Sequence, residues 1–396
     1  MSQSLKDHWL LRPDVDYLNH GSFGATPRCV LAAQQEWITR LETEPIEFLA
    51  PERTLLPKLD QVRNRIAKLV HAAAPDIAFV RNATDGVNAV VRSLPLQAGD
   101  ELLVTNHGYK ACTNAVRYAA ERCGATVVTA NLPFPITDSS EVIDSIAACL
   151  TPRTRWILID HVTSPTGIIL PVDEIVQLAH SRDIRIMIDG AHAPGMLPLN
   201  LRQTQPDFYT ANHHKWLCGP KASGFLYVRD AWQDEVQPTV ISHGANSDGY
   251  GESRFQSNFN WPGTFDPAPI LALPTALDFL AGLHPPTRGD DLTTLMRSNH
   301  ELVVAGRRVI LDRLQIDEPA PESMLGSIAT IPIPAWKQRT GEEINAIGQL
   351  LRSEHRFELP IFQLNEHLGC LRISAQAYNS LEQYERLASV LGDVRR

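Results

Sequence analysis

Two short segments carry the residue types best suited to chemistry. Asp189-Gly-Ala-His192 ends one apolar run, and Asn212-His-His-Lys-Trp216 follows the next. A carboxylate and a lysine delivered to one rim of a sheet can serve a cofactor that has both an aldehyde and a pyridine ring. The Lys215 amine forms an imine with the aldehyde, while Asp189 keeps the ring nitrogen protonated so that the ring accepts electrons from a Cα carbanion. Each residue alone reads better as a strand-end acid or a surface lysine; their placement together at consecutive strand ends brings the cofactor reading level with that one.

A third segment, Asn82-Ala-Thr-Asp-Gly86, lies between an apolar run and a helical stretch. Backbone N–H groups and the Thr84 hydroxyl at a helix N-terminus form an anion site suited to a cofactor phosphate, although Thr84 or Asp85 would equally serve as an ordinary helix cap. Arg372, in Leu371-Arg-Ile-Ser-Ala-Gln-Ala-Tyr-Asn379, offers a planar fork for a substrate carboxylate or is a paired surface arginine. His107, His161, His192, His213 and His214 lack zinc-motif spacing, so no metal is expected. Gly21, Gly24, Gly249 and Gly251 give no GxGxxG between strand and helix, which disfavours a nicotinamide cofactor.

Positioning these residues requires a sheet whose strands end together. Apolar, β-branched runs predict strands at 77–80, 101–105, 125–129, 156–160, 184–189, 208–211 and 224–228, with helices at 84–94, 114–122, 140–150 and 173–180 between most of them. This alternation predicts an α/β fold. Continuous apolar runs such as Trp156-Ile-Leu-Ile159 suit strands buried on both faces of a mostly parallel sheet, with a ligand at the carboxyl ends. The alternation fades after about residue 265, and a helix is expected over 293–314; a domain change is placed within 275–290.

The 396 residues form a chain of 44.0 kDa, long enough for a large domain plus a smaller one. A net charge of −9, from 36 Lys+Arg against 45 Asp+Glu, includes no basic run for a nucleic-acid backbone or an anionic membrane. The six cysteines are scattered, which suits a reducing compartment. The N-terminal stretch 1–14 has no apolar core of signal length, and no segment approaches an uninterrupted membrane span. A cytoplasmic protein without nucleic-acid or membrane partners is expected.

Several ordered motifs resemble the class V aminotransferase superfamily of fold-type I pyridoxal-5′-phosphate (PLP) enzymes, and within it the isopenicillin N epimerase-like branch. They are Tyr17-Leu-Asn-His-Gly-Ser-Phe-Gly-Ala-Thr-Pro27, Asn82-Ala-Thr-Asp85, Asn106-His-Gly-Tyr-Lys-Ala111, His161-Val-Thr-Ser-Pro-Thr-Gly167, Asp189-Gly-Ala-His192, His213-His-Lys-Trp-Leu-Cys-Gly-Pro-Lys221, Pro262-Gly-Thr264 and Arg372-Ile-Ser374. The resemblance implies a mostly parallel seven-stranded sheet in a large domain, residues 26–280, with a smaller α+β C-terminal domain, 281–396, against which an N-terminal arm, 1–25, packs. It makes Lys215 the Schiff-base lysine and Asp189 the partner of the pyridine nitrogen. His192 and Ser164 are placed near the phenolic oxygen, Tyr109 on the ring, and Thr84, Asp85, Asn212 and His214 around the phosphate. Thr264 reaches the phosphate of a partner subunit, which implies a homodimer with shared active sites. Asn19 and Arg372 bind the substrate α-carboxylate, and Phe23 with the stretch 242–261 completes the substrate pocket.

One departure from the family's cysteine desulfurases is informative. The stretch His355-Arg-Phe-Glu-Leu-Pro-Ile-Phe362 has no nucleophilic cysteine, and Cys370 alternates with apolar positions as a buried strand residue would. The expected activity is therefore reaction at Cα of a small-molecule amino acid, first as an epimerase. The alternatives are a carbon–sulfur lyase on a cysteine conjugate, an aminotransferase, a biosynthetic enzyme coupling elimination to bond formation, and a non-catalytic PLP-fold binding protein.

Overall fold

A computed structural model describes residues 5–247, 249–283 and 291–394. Seven strands form the central sheet: β1 (Ile77–Val80), β2 (Glu101–Thr105), β3 (Thr126–Ala130), β4 (Thr154–Asp160), β5 (Arg185–Asp189), β6 (Phe208–Asn212) and β7 (Gly224–Val228). Their spatial order is β1-β7-β6-β5-β4-β2-β3. All neighbouring pairs are parallel except the two that involve β7. Parallel neighbours need crossovers of a dozen or more residues, which the intervening helices supply.

The principal helices are α1 (Arg28–Thr43), α2 (Leu56–Leu69), α3 (Ala83–Val91), α4 (Lys110–Cys123), α5 (Ser140–Ala147), α6 (Val172–His180), α7 (Thr293–Leu314), α8 (Gly341–Ser353) and α9 (Leu381–Val394). Strand side chains alternate between the two faces. Leu103, Ile157, Ile159, Ile186 and Ile188 pack with Leu59 and Ile66 of α2 and Ile175 of α6. Leu102, Val104, Trp156, Leu158 and Met187 face Val87 and Val90 of α3 and Val116 of α4. Both faces are thus covered, and each fully buried aliphatic side chain contributes about 1.5–3 kcal/mol.

The C-terminal region has its own antiparallel sheet, in which β10 (Leu368–Ser374) lies between β8 (Ile328–Pro332) and β9 (Ile361–Asn365). Ile331, Leu371 and Ile373 pack there with Val303 and Leu311 of α7 and Leu387 of α9. The N-terminal segment is fastened to this region: Asp16 and Tyr17 pair in parallel with Phe357 and Glu358, and Leu18 is buried in the same core. Residues 284–290, within the stretch expected to hold the domain change, lie outside the described residues.

Two element boundaries differ in a way that bears on the site. The helix expected from 114 begins at Lys110, with Tyr109 at its N-cap, so Tyr109 is held by a helix end. The helix expected from 84 begins at Ala83 because Asn82 caps it, its side-chain oxygen accepting from the Asp85 amide at 2.9 Å. The strand expected at 125–129 is displaced by one residue, to Thr126–Ala130. One glycine is decisive for the approach of the N-terminal segment. Gly24 has φ +67°, and a Cβ there would lie 1.9 Å from the His214 carbonyl oxygen, so only glycine lets this backbone touch the turn that carries Lys215.

Candidate active site

The carboxyl ends of β1, β2, β4, β5 and β6 converge on one rim. Strand register sets Asp160 beside Asp189 and Asp189 beside Thr210. The turns beyond these ends enclose a cavity of about 290 Å³ lined by Ser22, Phe23, Asn82, Ala83, Thr84, Tyr109, Asp160, Ser164, Asp189, Ala191, His192, Asn212, His214, Lys215 and Arg372. This is the crevice where open α/β sheets bind ligands.

Asp189 is 2% exposed; its Oδ1 accepts from the Ala191 amide at 3.0 Å and its Oδ2 from the Cys112 thiol at 3.1 Å. Burial pushes the Asp189 carboxyl up, while the Cys112 hydrogen bond and the charge of Lys215 oppose that rise. Asp160 is raised well above the carboxylate range, by burial first and by the charge of Asp189 second. Two adjoining buried carboxyls resist carrying two negative charges, and a cationic partner in the cavity relieves both.

Lys215 is 9% exposed, with its Nζ 2.9 Å from His192 Nε2. Burial lowers its pKa from 10.5 to about 8, with Asp189 raising it and Arg372 lowering it. The His192 imidazole is held neutral by burial and by the neighbouring charges of Lys215 and Arg372. Burial likewise lowers His214 to about 4.

At the anion end, the side-chain oxygen of Asn212 accepts from the Ala83 amide at 2.9 Å. Asn82 takes the Asp85 amide through its side chain and the Gly86 amide through its carbonyl, at 3.2 Å. Thr84 lies between these satisfied groups and lines the cavity. His214 Nδ1 is buried without a hydrogen-bond partner among the described residues. An unpaired buried polar atom beside a helix N-terminus suits an anionic oxygen.

At the mouth, Arg372 is 7% exposed, and burial lowers its pKa to about 10. Its Nη1 donates to the Ser164 carbonyl and, at 3.2 Å, to Ser164 Oγ; its Nη2 donates to Ser22 Oγ at 2.9 Å. Among the described residues no carboxylate pairs with this guanidinium. A buried cation left without an anion is costly, and a bound carboxylate would satisfy it.

The structure thus brings together Lys215, Asp189, His192, Tyr109, Thr84, Asn212, His214, Ser164 and Arg372. Asn19 stands behind them, accepting from the Ser22 hydroxyl that itself accepts from Arg372. Asp85 is not in the cavity: its carboxylate turns to the Arg81 amide, at 3.2 Å, and the Thr239 hydroxyl, at 2.8 Å. Thr264 is exposed and also outside. Phe23 lines the mouth, but the described residues of 242–261 do not; Phe259 and Asn260 line a separate, adjoining cavity with Asp85. Cys370 lies in β10, paired across the sheet with Phe362 and Pro332, and burial pushes its thiol up to about 12.

Sequence reasoning missed Asp160, Cys112 and Ser22. Asp160 ends a strand just as Asp189 does, and that common ending was a usable signal. Cys112 sits three positions beyond the Tyr109 cap, a spacing that faces the same side of a helix, but its partner lies on another strand.

The Aminotransferase class-V family profile matches residues 17–387. The chain belongs to this family. Isopenicillin N epimerase from Streptomyces clavuligerus is 31% identical over 402 residues, covering 98% of this chain and 97% of that protein. A probable chloroplastic L-cysteine desulfhydrase from Arabidopsis thaliana is 28% identical, with 97% and 84% covered. Among solved structures, a mutant of C-DES with glycine covalently linked to the PLP cofactor gives a TM-score of 0.80 at 21% identity, covering 99% of this chain and 100% of that one. The class-V chain therefore has the fold-type I architecture.

A lysine lowered to about 8 is half deprotonated at that pH and ammonium below it. In cofactor-free protein, acylation of Lys215 should therefore rise with pH through a midpoint near 8 rather than 10.5, read by mass spectrometry of its peptide.

Proposed function

We propose that this class-V chain is a PLP-dependent enzyme that removes the Cα proton of an amino acid and returns it with inversion, an epimerase. The observation that carries this reading is one cavity holding a buried lysine amine, a buried carboxylate and a buried arginine that has no anionic partner among the described residues. PLP fits the residues present: its phosphate would meet Thr84, Asn212 and His214 at the α3 terminus, its pyridine nitrogen Asp189, and its aldehyde Lys215. When bound, this cofactor supplies an electron sink for negative charge developing at Cα.

The protein's own groups do the rest. Asp189, which burial alone would push toward neutrality, would be kept anionic opposite a protonated ring nitrogen and would hold that proton in place. Cys112 and Ala191 fix the orientation of the carboxylate. Arg372 grips the substrate carboxylate, with Ser22 and Asn19 holding the guanidinium in position. Lys215 as a free amine takes the proton from Cα on one face. Tyr109, 46% exposed at the mouth and anchored by the α4 N-terminus, is assigned to return it on the other.

The working form is proposed to be a homodimer. In support, Thr264 is exposed on its own chain, and Val240 and Ile241 are 46% and 60% exposed. Thr264 then belongs to the phosphate site of the partner subunit. Elimination at a carbon–sulfur bond is the second reading. It is favoured by the half-exposed position of Tyr109, because elimination needs only the buried base Lys215.

Isopenicillin N, L-cysteine and the common L-amino acids incubated with holoenzyme in deuterium oxide separate these readings. Epimerisation predicts a substrate that gains deuterium at Cα and appears in both configurations, with Tyr109→Phe slowing inversion at least about tenfold more than exchange. Exchange with full retention, or release of pyruvate and ammonia, contradicts it. For Arg372→Ala, kcat/KM should fall about 100-fold, chiefly through KM, with bound PLP unchanged.

A further inference from the structure

The residue after Lys215 points its indole at the same imidazole that touches the lysine amine. Trp216 Nε1 donates to His192 Nδ1 at 3.4 Å, and His192 Nε2 lies 2.9 Å from Lys215 Nζ. An indole N–H is a donor only, so His192 Nδ1 must present its lone pair. A neutral imidazole carries one proton, which therefore resides on Nε2. That N–H faces Nζ and needs an acceptor there. An ammonium has three donors and no lone pair, whereas the free amine has one.

We propose that Trp216 is a positioning residue that fixes His192 in its Nε2–H tautomer and thereby favours the free amine of Lys215 over the ammonium. A protonated Lys215 would leave one of two contacts as donor against donor: at Nε2 as His192 stands, or at Nδ1 after a change of tautomer. Double protonation of His192 is opposed by its complete burial and by Lys215 and Arg372.

The surroundings show why such a device is needed. Burial favours the free amine, and Arg372 on β10 adds to it, but Asp189 and Asp160 at the strand ends, together with Cys112 on α4, favour the ammonium. His214 and His20 also face His192, and burial lowers them to about 4 and about 3, so both are neutral. Trp216 is held in turn. It is fully buried with Val162, Met196 and Ile328, and its ring lies 5.1 Å from that of His20. His20 contacts the Lys215 carbonyl through Nε2 at 3.0 Å and Tyr378 Oη through Nδ1 at 2.8 Å. Backbone and side chain of Lys215 are thus each tied to a neutral imidazole.

The inference rests on Lys215 being the reactive amine, but its test reads proton positions in the full-length, cofactor-free protein, so it can fail while PLP binding stands. Nitrogen-15 NMR of labelled histidines, with His192 assigned through His192→Gln, should show the Nε2–H tautomer in the unmutated protein. In Trp216→Phe, which keeps a ring but removes the donor, the Nδ1–H form should appear. The midpoint for acylation of Lys215 should then rise by about one pH unit, leaving about tenfold less free amine at neutral pH. In a His192→Gln background the same Trp216→Phe change should leave the midpoint where it was. A purely structural tryptophan would lower thermal stability without moving tautomer or midpoint. A proton on Nδ1 in the unmutated protein overturns the proposal even if Trp216→Phe does not fold, and so does an unchanged midpoint in a folded Trp216→Phe.

Discussion

Burial of an amine beside two buried carboxyls is the constraint on which the site depends. The register of β4 against β5 places Asp160 next to Asp189, and the turn after β6 brings Lys215 to the same rim. All three side chains are buried, so solvent does little to stabilise their charges. Burial and the neighbouring groups therefore set each protonation state, Cys112 and Ala191 acting on Asp189 and Arg372 on Lys215.

The same constraint explains how the C-terminal region joins the site. Arg372 sits on β10, outside the central sheet, yet its guanidinium reaches Ser164 after β4 and Ser22 in the N-terminal segment. Three separate stretches meet at one cation, and Gly24 lets the N-terminal one also press against the turn that carries Lys215. A substrate carboxylate at Arg372 would bind all three together, which links occupancy to exclusion of water from the cavity.

Much of this was legible in the sequence. Continuous apolar runs marked the inner strands because a parallel sheet buried on both faces tolerates little else, whereas the edge strand β3 is threonine-containing and only partly buried. Asp189, His192 and Lys215 stood out because polar residues that close such runs must lie on the sheet's carboxyl rim. Side-chain direction was not legible. Asp85 is adjacent to Thr84 in sequence, but Arg81 and Thr239 draw its carboxylate out of the cavity. The donor from Trp216 to His192 joins two turns through rotamers that no periodicity encodes. Of the stretch 242–261, Phe259 and Asn260 line an adjoining space rather than this one.

The central claim is that Lys215 is the amine that carries the cofactor. Borohydride reduction of the purified holoenzyme, followed by peptide mapping, tests it directly by making the covalent link permanent. The account predicts the mass of reduced pyridoxyl phosphate on the peptide containing Lys215, and its loss in Lys215→Ala. The same mass on Lys221 with none on Lys215, or no covalent cofactor on any lysine, would contradict it.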